Sequence, residues 1–592
     1  MDSHRADGPE HRGSVPLNLQ ATTLETEDAS HLRTRAIGVG LGVLVVYLAS
    51  ALWMPERGFW INDTALKFIQ LRSIVEHGEI ALDWPGRAID PEQAFGPITR
   101  GFFAMRDGEL YSAYSPVFPA LSAPFYQWLG ARGILVIPLL GILLGLPAVW
   151  RIAVMLAEGT ASASRAGTWA VLSVAFATPV WFYALAFWEH APAVGFSCWS
   201  LWCVLHYQRS GDRRFAALAG AMTAAPIYFR TEGYLFAAVV LGLTAWNARR
   251  HVGDVALLAA GAFVTLLPLW IFHALALGNP LGLHLTTQPW GDTSLMHYVS
   301  ERVDVASRLL INLHTDPMWS FALALPFVAA LFGGHRVRAE AQRLGIPFFA
   351  LAACIAGGLY LWSQLSSPHP MNRLMQANGL FSAAPFMVLA FVAPAPNATT
   401  EARRAHTTLL AICFLYAALY TALIPGVNSQ GIHWGCRFLL VIYPVLAVVA
   451  SVCAVGWWER FGERRLLSAG VLAVFVLSAG LQAYSLVMLH DRKAFSQALN
   501  ARVQESDSEI IISDTWFIPV DLSASFFEKP VFFAPPKQRK ALLAKATAAG
   551  VRSVLVVDDA LRKKPAPESE LFGDGWLNFS PVALKEHRAA RQ

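Results

Sequence analysis

The chain has 592 residues, 55% of them hydrophobic and only 15% charged, with a formal net charge of +5. A mean hydropathy of +0.43 sets it apart from water-soluble domains, and no basic, aromatic-interleaved patch points to nucleic acid. None of the six cysteines forms a CxxC pair, so neither a zinc site nor a disulfide framework is implied.

Residues 1–35 are polar, lack a cleavable signal pattern, and read as a disordered cytoplasmic tail ending in Arg33 and Arg35. Apolar runs of about 17–25 residues then recur, as membrane helices require. They predict thirteen crossings, near 36–53, 134–157, 166–187, 190–208, 213–229, 232–248, 254–276, 316–334, 346–364, 378–396, 405–425, 437–457 and 466–488. The segment 115–130 is apolar but short and carries three prolines, which suits a re-entrant or interfacial helix. With the N-terminus inside, every short inner loop holds at least two arginines, among them Arg151 with Arg165 and Arg403 with Arg404. That bias is the one orientation follows.

The expected fold class is therefore an all-α polytopic membrane protein of about thirteen transmembrane helices plus the re-entrant or interfacial one. A transmembrane domain over 36–489, with a first outer loop at 54–133, precedes a small extracytoplasmic α/β domain over 490–592. In that tail, 509–513, 531–534 and 553–557 read as strands and 537–549 as a helix.

The candidate chemistry begins directly after the first span. Asp63, Lys67 and Gln70 fall at i, i+4 and i+7, on one face of an amphipathic helix over 62–77 expected to lie along the membrane surface, with Leu66, Ile69 and Ile74 on apolar neighbours. Residues 102–116 read as a hairpin around Asp107-Gly108, followed by Tyr111 and Tyr114, which are placed in a sugar pocket. Glu189 and His190 lie between two spans, Arg230 and Glu232 at a tight outer turn, Arg373 in an outer loop, and His433 with Arg437 at the edge of the penultimate span. Singly, each is explained by a local ion pair or a satisfied interface residue. Ionisable groups at membrane depth are costly, and their gathering on one face points to function.

These segments, in this order, resemble the GT-C superfamily of membrane glycosyltransferases, and within it the bacterial protein mannosyltransferase and aminoarabinose transferase group. The likeness rests on Asn62-Asp63 after span one, on Gly108–Pro116, on Trp188-Glu189-His190, on Arg230-Thr231-Glu232-Gly233 and on His433–Phe438. It implies an inverting transferase that moves a sugar from a polyprenyl phosphate to an acceptor hydroxyl on a glycan, lipid or protein. It implies an outer-face site in a bacterial inner membrane, with Asp63 as catalytic base. Many relatives follow this aspartate with a second acid; here that position is Thr64. Several relatives bind a divalent cation; no ligand cluster in this sequence predicts one, and no cofactor is expected. A lipid phosphate is a good leaving group, so its charge needs cations more than it needs a general acid. Lys67, Arg230, Arg373 and Arg437 are the candidates for that role, with Glu189, His190, Glu232 and His433 in the substrate pocket beside Tyr111 and Tyr114.

Two other classes compete. A flippase or transporter of lipid-linked sugar would carry polar groups through the bilayer midplane and often duplicated halves; the spans are nearly free of acids and lysines at their centres. A polymerase or ligase of lipid-linked glycans would share topology and substrate type.

Overall fold

A computed structural model describes residues 19–584 apart from 99–100, 159, 161, 288–294, most of 312–378, 392–397, 424–432, 462–464, 560–569 and 573–576. The chain is predominantly helical, with one small sheet domain at its C-terminal end. Among the described residues, six helical stretches are long and apolar enough to cross a membrane: Arg33–Trp53, Val117–Leu156, Val252–Leu277, Thr400–Leu423, Arg437–Glu459 and Ser468–Gln504. The chain is an integral membrane protein. The expected span at 316–334, most of that at 346–364, and Arg373 lie outside the described residues.

Helix α1 (Leu19–Trp53) begins well before the apolar run, so the polar segment from Leu19 to Arg35 is helical rather than irregular. Helix α2 (Asn62–Arg72) follows and ends in a π-helical turn over Ser73–His77. Strands β1 (Phe103–Arg106) and β2 (Glu109–Ser112) form the expected antiparallel hairpin. Asp107 and Gly108 both take positive φ, 53° and 82°, as a two-residue turn of the primed type requires.

Helix α3 (Val117–Leu129) is separated from α4 (Val136–Leu156) by Gly130 at φ 64° and a turn of 3-10 helix. The turn doubles back so tightly that a Cβ on Gly133 would meet the Phe125 carbonyl oxygen at 2.0 Å. The following helices are α5 (Ala163–Phe176), α6 (Val180–Ala184), α7 (His190–Ser210), α8 (Arg213–Ala224), α9 (Gly233–Ala248) and α10 (Val252–Leu277). The predicted span at 378–396 contains a short α-helical turn, Leu380–Ala383, and a 3-10 helix, Pro385–Phe391.

The tail departs from its predicted start. The last long helix runs unbroken from Arg465 to Gln504, past the expected boundary at 489. Its end carries Leu499 and Val503 into the core of the sheet domain with Ile511, Val531 and Val557. The sheet has the order β4-β3-β5-β7-β6, from β3 (Ile510–Ser513), β4 (Val531–Phe533), β5 (Ser553–Asp559), β6 (Glu570–Phe572) and β7 (Leu577–Ala583). β3 is parallel to both of its neighbours. Its unbroken isoleucine run is buried throughout, as a central parallel strand covered on both faces demands.

This domain covers the helix that bears the site. Helix α2 is not left open to lipid or water: every residue from Asp63 to Arg72 is buried. α3 packs on one side, and the tail segments Ile518–Asp521 and Ser523–Ser525 pack on it as well. Leu66 and Ile69 therefore face protein, not lipid.

Candidate functional site

Helix α2 starts on a local device. The Thr64 hydroxyl accepts from the Ile61 N–H at 3.2 Å and donates to the Ile61 carbonyl at 2.6 Å. Thr64, at the place where a second carboxylate was sought, thus fixes the helix start. Asp63 sits in the first turn, where the helix dipole favours negative charge.

Tyr114 joins the three residues of the predicted face. Its hydroxyl donates to Asp63 Oδ1 at 2.6 Å. The Lys67 ammonium lies 3.5 Å from the centre of its ring. Its carbonyl accepts from Gln70 Nε2 at 3.1 Å. The second Asp63 oxygen, Oδ2, accepts from Arg437 at 2.8 Å. From Asp63 the cluster extends through Lys67, which pairs with Glu189 Oε2 at 3.2 Å. Glu189 Oε1 accepts from Arg230 at 2.7 Å, and Arg230 also pairs with Glu232. Three acids and three bases, from four separate segments, form one buried chain of alternating charge.

The segments are held by specific contacts. Glu189 follows the fully buried Trp188 and immediately precedes α7. Arg230 closes the 3-10 turn at the end of α8, its N–H on the Pro226 carbonyl at 2.9 Å. Arg437 follows a strained corner at Gly435, φ 62°, where a Cβ would meet Pro179 Cγ at 2.5 Å and the Tyr443 hydroxyl at 2.9 Å. Trp434 Nε1 donates to Gln482 at 2.8 Å and the Cys436 N–H to the Tyr443 hydroxyl at 2.9 Å. These pin the loop, and the guanidinium of Arg437 lies 5.2 Å from the Trp188 ring centre.

Electrostatics follow from burial and pairing. Burial alone would discourage ionisation of Asp63, but Arg437, Lys67, the Tyr114 hydroxyl and Arg230 outweigh it and hold the carboxyl below its ordinary value. At Lys67 burial wins, leaving the amine below its ordinary value although Glu189 and Asp63 oppose the shift. Burial, with the Asp63 carboxylate, pushes the Tyr114 phenol well above its ordinary value, so it stays a hydrogen-bond donor.

His190 is buried against Trp188 and Tyr183, with ring centres 4.8 and 5.1 Å away. Neither of its nitrogens has a hydrogen-bond partner among the described residues. His433 is buried beside Phe438, ring centres 6.0 Å apart. Tyr111 does not join the cluster: its hydroxyl bonds Glu109 on the same hairpin at 3.3 Å.

Three participants had no role in the sequence reading. His284 stacks on Tyr114 at 5.5 Å and lines a small cavity of about 30 Å³ with Tyr114, Glu189 and Arg230. Its only signal was a histidine in a segment read as loop. Trp188 was quoted only as a neighbour of Glu189. Arg72, at the far end of α2, holds Glu76, Glu528 and the Ala524 carbonyl at 2.7–2.8 Å, and so ties the tail domain to the helix that bears Asp63.

Asp63, Glu189 and Glu232 each face an arginine or lysine. Among the described residues no group of three or more His, Cys, Asp or Glu is placed to hold a metal ion.

No family model matches the chain, and no curated protein sequence matches it. Among solved structures it is similar to ArnT from Cupriavidus metallidurans bound to undecaprenyl phosphate, at 11% identity and a TM-score of 0.44 over 92% of this chain and 97% of that one. The apo state of the same protein gives 13% identity and 0.44 over 93% and 98%. The archaeal oligosaccharyltransferase AglB from Archaeoglobus fulgidus, in complex with an inhibitory peptide and a dolichol-phosphate, gives 13% and 0.38 over 87% and 69%.

Proposed function

We propose that this chain is an inverting glycosyltransferase that moves a sugar from a polyprenyl-phosphate donor to an acceptor hydroxyl, with Asp63 as general base. The observation that carries the reading is the buried Asp63 carboxylate, kept ionised by Arg437 and Lys67 within a charge-balanced cluster. A structural ion pair needs one partner; this carboxylate has Arg437 on one oxygen and a phenol on the other, and the Lys67 ammonium nearby on the Asp63 main-chain carbonyl.

The chemistry runs on that balance. The acceptor oxygen attacks the anomeric carbon from the side opposite the phosphate, and its proton passes to Asp63 as the new C–O bond forms. The bond from the anomeric carbon to the phosphate oxygen breaks, and the phosphate leaves with one additional negative charge. Protonation of Asp63 removes the counter-charge of Arg437, whose guanidinium then has charge to offer the departing phosphate. Lys67 and Arg230 would hold the donor phosphate beforehand. His190, a buried ring with unmet nitrogens at the start of a long helix, adds hydrogen-bonding capacity there. The cavity beside Tyr114, about 30 Å³, holds roughly two waters. Tyr114 and His284 both line this cavity, and a sugar entering through it would displace one of them. Outer-face catalysis in a bacterial inner membrane, with the tail domain on the same side, belongs to the same proposal.

The test is donor consumption. Purified protein in nanodiscs is given a panel of radiolabelled polyprenyl-phosphate monosaccharides with a crude envelope fraction as acceptor. Turnover of one donor is expected and names the sugar. Consumption of none, together with thermal stabilisation by a lipid-linked oligosaccharide, would replace this reading with the polymerase or flippase alternatives.

A further inference from the structure

At the end of the helix bundle opposite Asp63, α1, α4, α5 and α7 enclose an open groove of about 940 Å³. On α1 it runs from Arg33 to Leu44, a rise of about 16 Å. That is close to half of the roughly 30 Å hydrocarbon thickness of a bilayer, so the groove matches one leaflet. Its walls are apolar, with Ile37 and Leu41 each 56% exposed on α1 and Leu143 and Val154 facing them from α4.

Its charges are all at one end. Arg209 is neutralised by Glu158, through two hydrogen bonds of 2.6 and 2.7 Å. Arg33 and Arg151 line the same groove, are exposed, and have no carboxylate partner among the described residues. Arg151 is the more telling. It lies inside the membrane-spanning stretch, five residues before the end of α4. Its guanidinium stands 5.2 and 5.0 Å from the rings of Trp199 and Trp202, which hold it at the groove instead of letting it extend into water. A guanidinium at that depth is costly unless an anion meets it, and phosphate is the oxyanion its forked donors fit.

We propose that this groove is a binding site for an anionic phospholipid of the leaflet opposite the Asp63 site. The acyl chains lie along Ile37, Leu41 and Leu143, and the phosphate meets Arg151 and Arg33. Among the described residues the groove mouth carries an excess of two positive charges, which selects a net-negative headgroup over a zwitterionic one.

The test uses the full chain in detergent, with native mass spectrometry reading retention of added phosphatidylglycerol or phosphatidylcholine. Wild type is expected to retain phosphatidylglycerol at least ten-fold better. The Arg33→Gln/Arg151→Gln double variant is expected to lose that preference. Gly40→Phe is the second variant: a Cβ at Gly40 meets nothing within 4 Å, so the new ring enters the groove without a backbone clash and should lower retention of both lipids. Equal retention of the two lipids by wild type overturns the proposal, as does a preference that survives in the double variant. Retention that appears only after removal of residues 1–18 would mean that the chain's own N-terminal segment fills the groove, and also overturns it.

Discussion

Glu189 is the acid through which the two halves of the buried charge chain communicate, and Glu189→Gln tests whether they form a unit. One carboxylate oxygen accepts from Arg230 at 2.7 Å and the other faces Lys67 at 3.2 Å, with the Glu189 and Lys67 side chains 3% and 1% exposed. A glutamine keeps the shape and one acceptor. It turns an N–H₂ donor toward either a guanidinium or an ammonium, and it leaves a buried cation without its counter-charge. Breaking a buried pair from one side costs about 3–5 kcal/mol. At about 2 °C per kcal/mol this is a fall of roughly 6–10 °C in Tm. Lys67→Met alone is expected to cost a similar amount, because it leaves Glu189 with an excess negative charge. The double variant removes both charges at once, so its loss should be smaller than the sum of the singles by roughly 1–3 kcal/mol. Thermal unfolding followed by tryptophan fluorescence in one detergent measures all four proteins. Strictly additive losses, or a Glu189→Gln loss below about 1 kcal/mol, would refute the picture of one interdependent buried network.

Arg72→Ala removes the guanidinium that joins α2 to Glu528 and the Ala524 carbonyl; limited proteolysis should release the tail domain faster, and an unchanged cleavage rate would show that the other contacts suffice. Gly435→Ala forces a Cβ onto Pro179 and the Tyr443 hydroxyl at positive φ, costing about 1–2 kcal/mol or more and moving Arg437. Transfer should fall with no charge altered, and a variant as stable and active as wild type would contradict this. The Lys67 pKa is below its ordinary value; between that value and 10.5 the unfolded chain holds more protons, so this group's effect on stability becomes more favourable as pH rises. Its cation is lost over the same window. Donor affinity should therefore fall on the alkaline side below pH 10.5, and Lys67→Arg should move that limb upward; an unmoved limb would separate Lys67 from donor binding.

Much of the site was legible because helix periodicity is local. The spacing of Asp63, Lys67 and Gln70 places them on one face, and all three meet Tyr114. The Asp107-Gly108 turn and the strands β3, β4 and β5 follow from short-range patterns of the same kind. Less legible was what covers a face. The apolar residues of α2 suited either lipid or neighbouring helices, and the covering comes from α3 and from the tail, some 450 residues away in sequence, through contacts such as Arg72 with the Ala524 carbonyl. No local pattern encodes such a contact. The Gln504 end of the last helix was likewise hidden, because polar residues after 488 mark departure from a membrane without ending a helix. Tyr111 and Tyr114 alternate across the hairpin exit, and sequence alone did not say which would reach Asp63.

The central claim is that Asp63 takes the acceptor proton. Wild type and Asp63→Asn should be compared in a single-turnover assay with the donor identified from the panel, alongside donor binding and thermal unfolding. Asparagine keeps an acceptor for the Tyr114 hydroxyl but cannot take a proton. The account predicts a drop in transfer rate of about 10²–10⁴-fold in a protein that still folds and still binds donor. Transfer at near wild-type rate by a folded Asp63→Asn protein would contradict it.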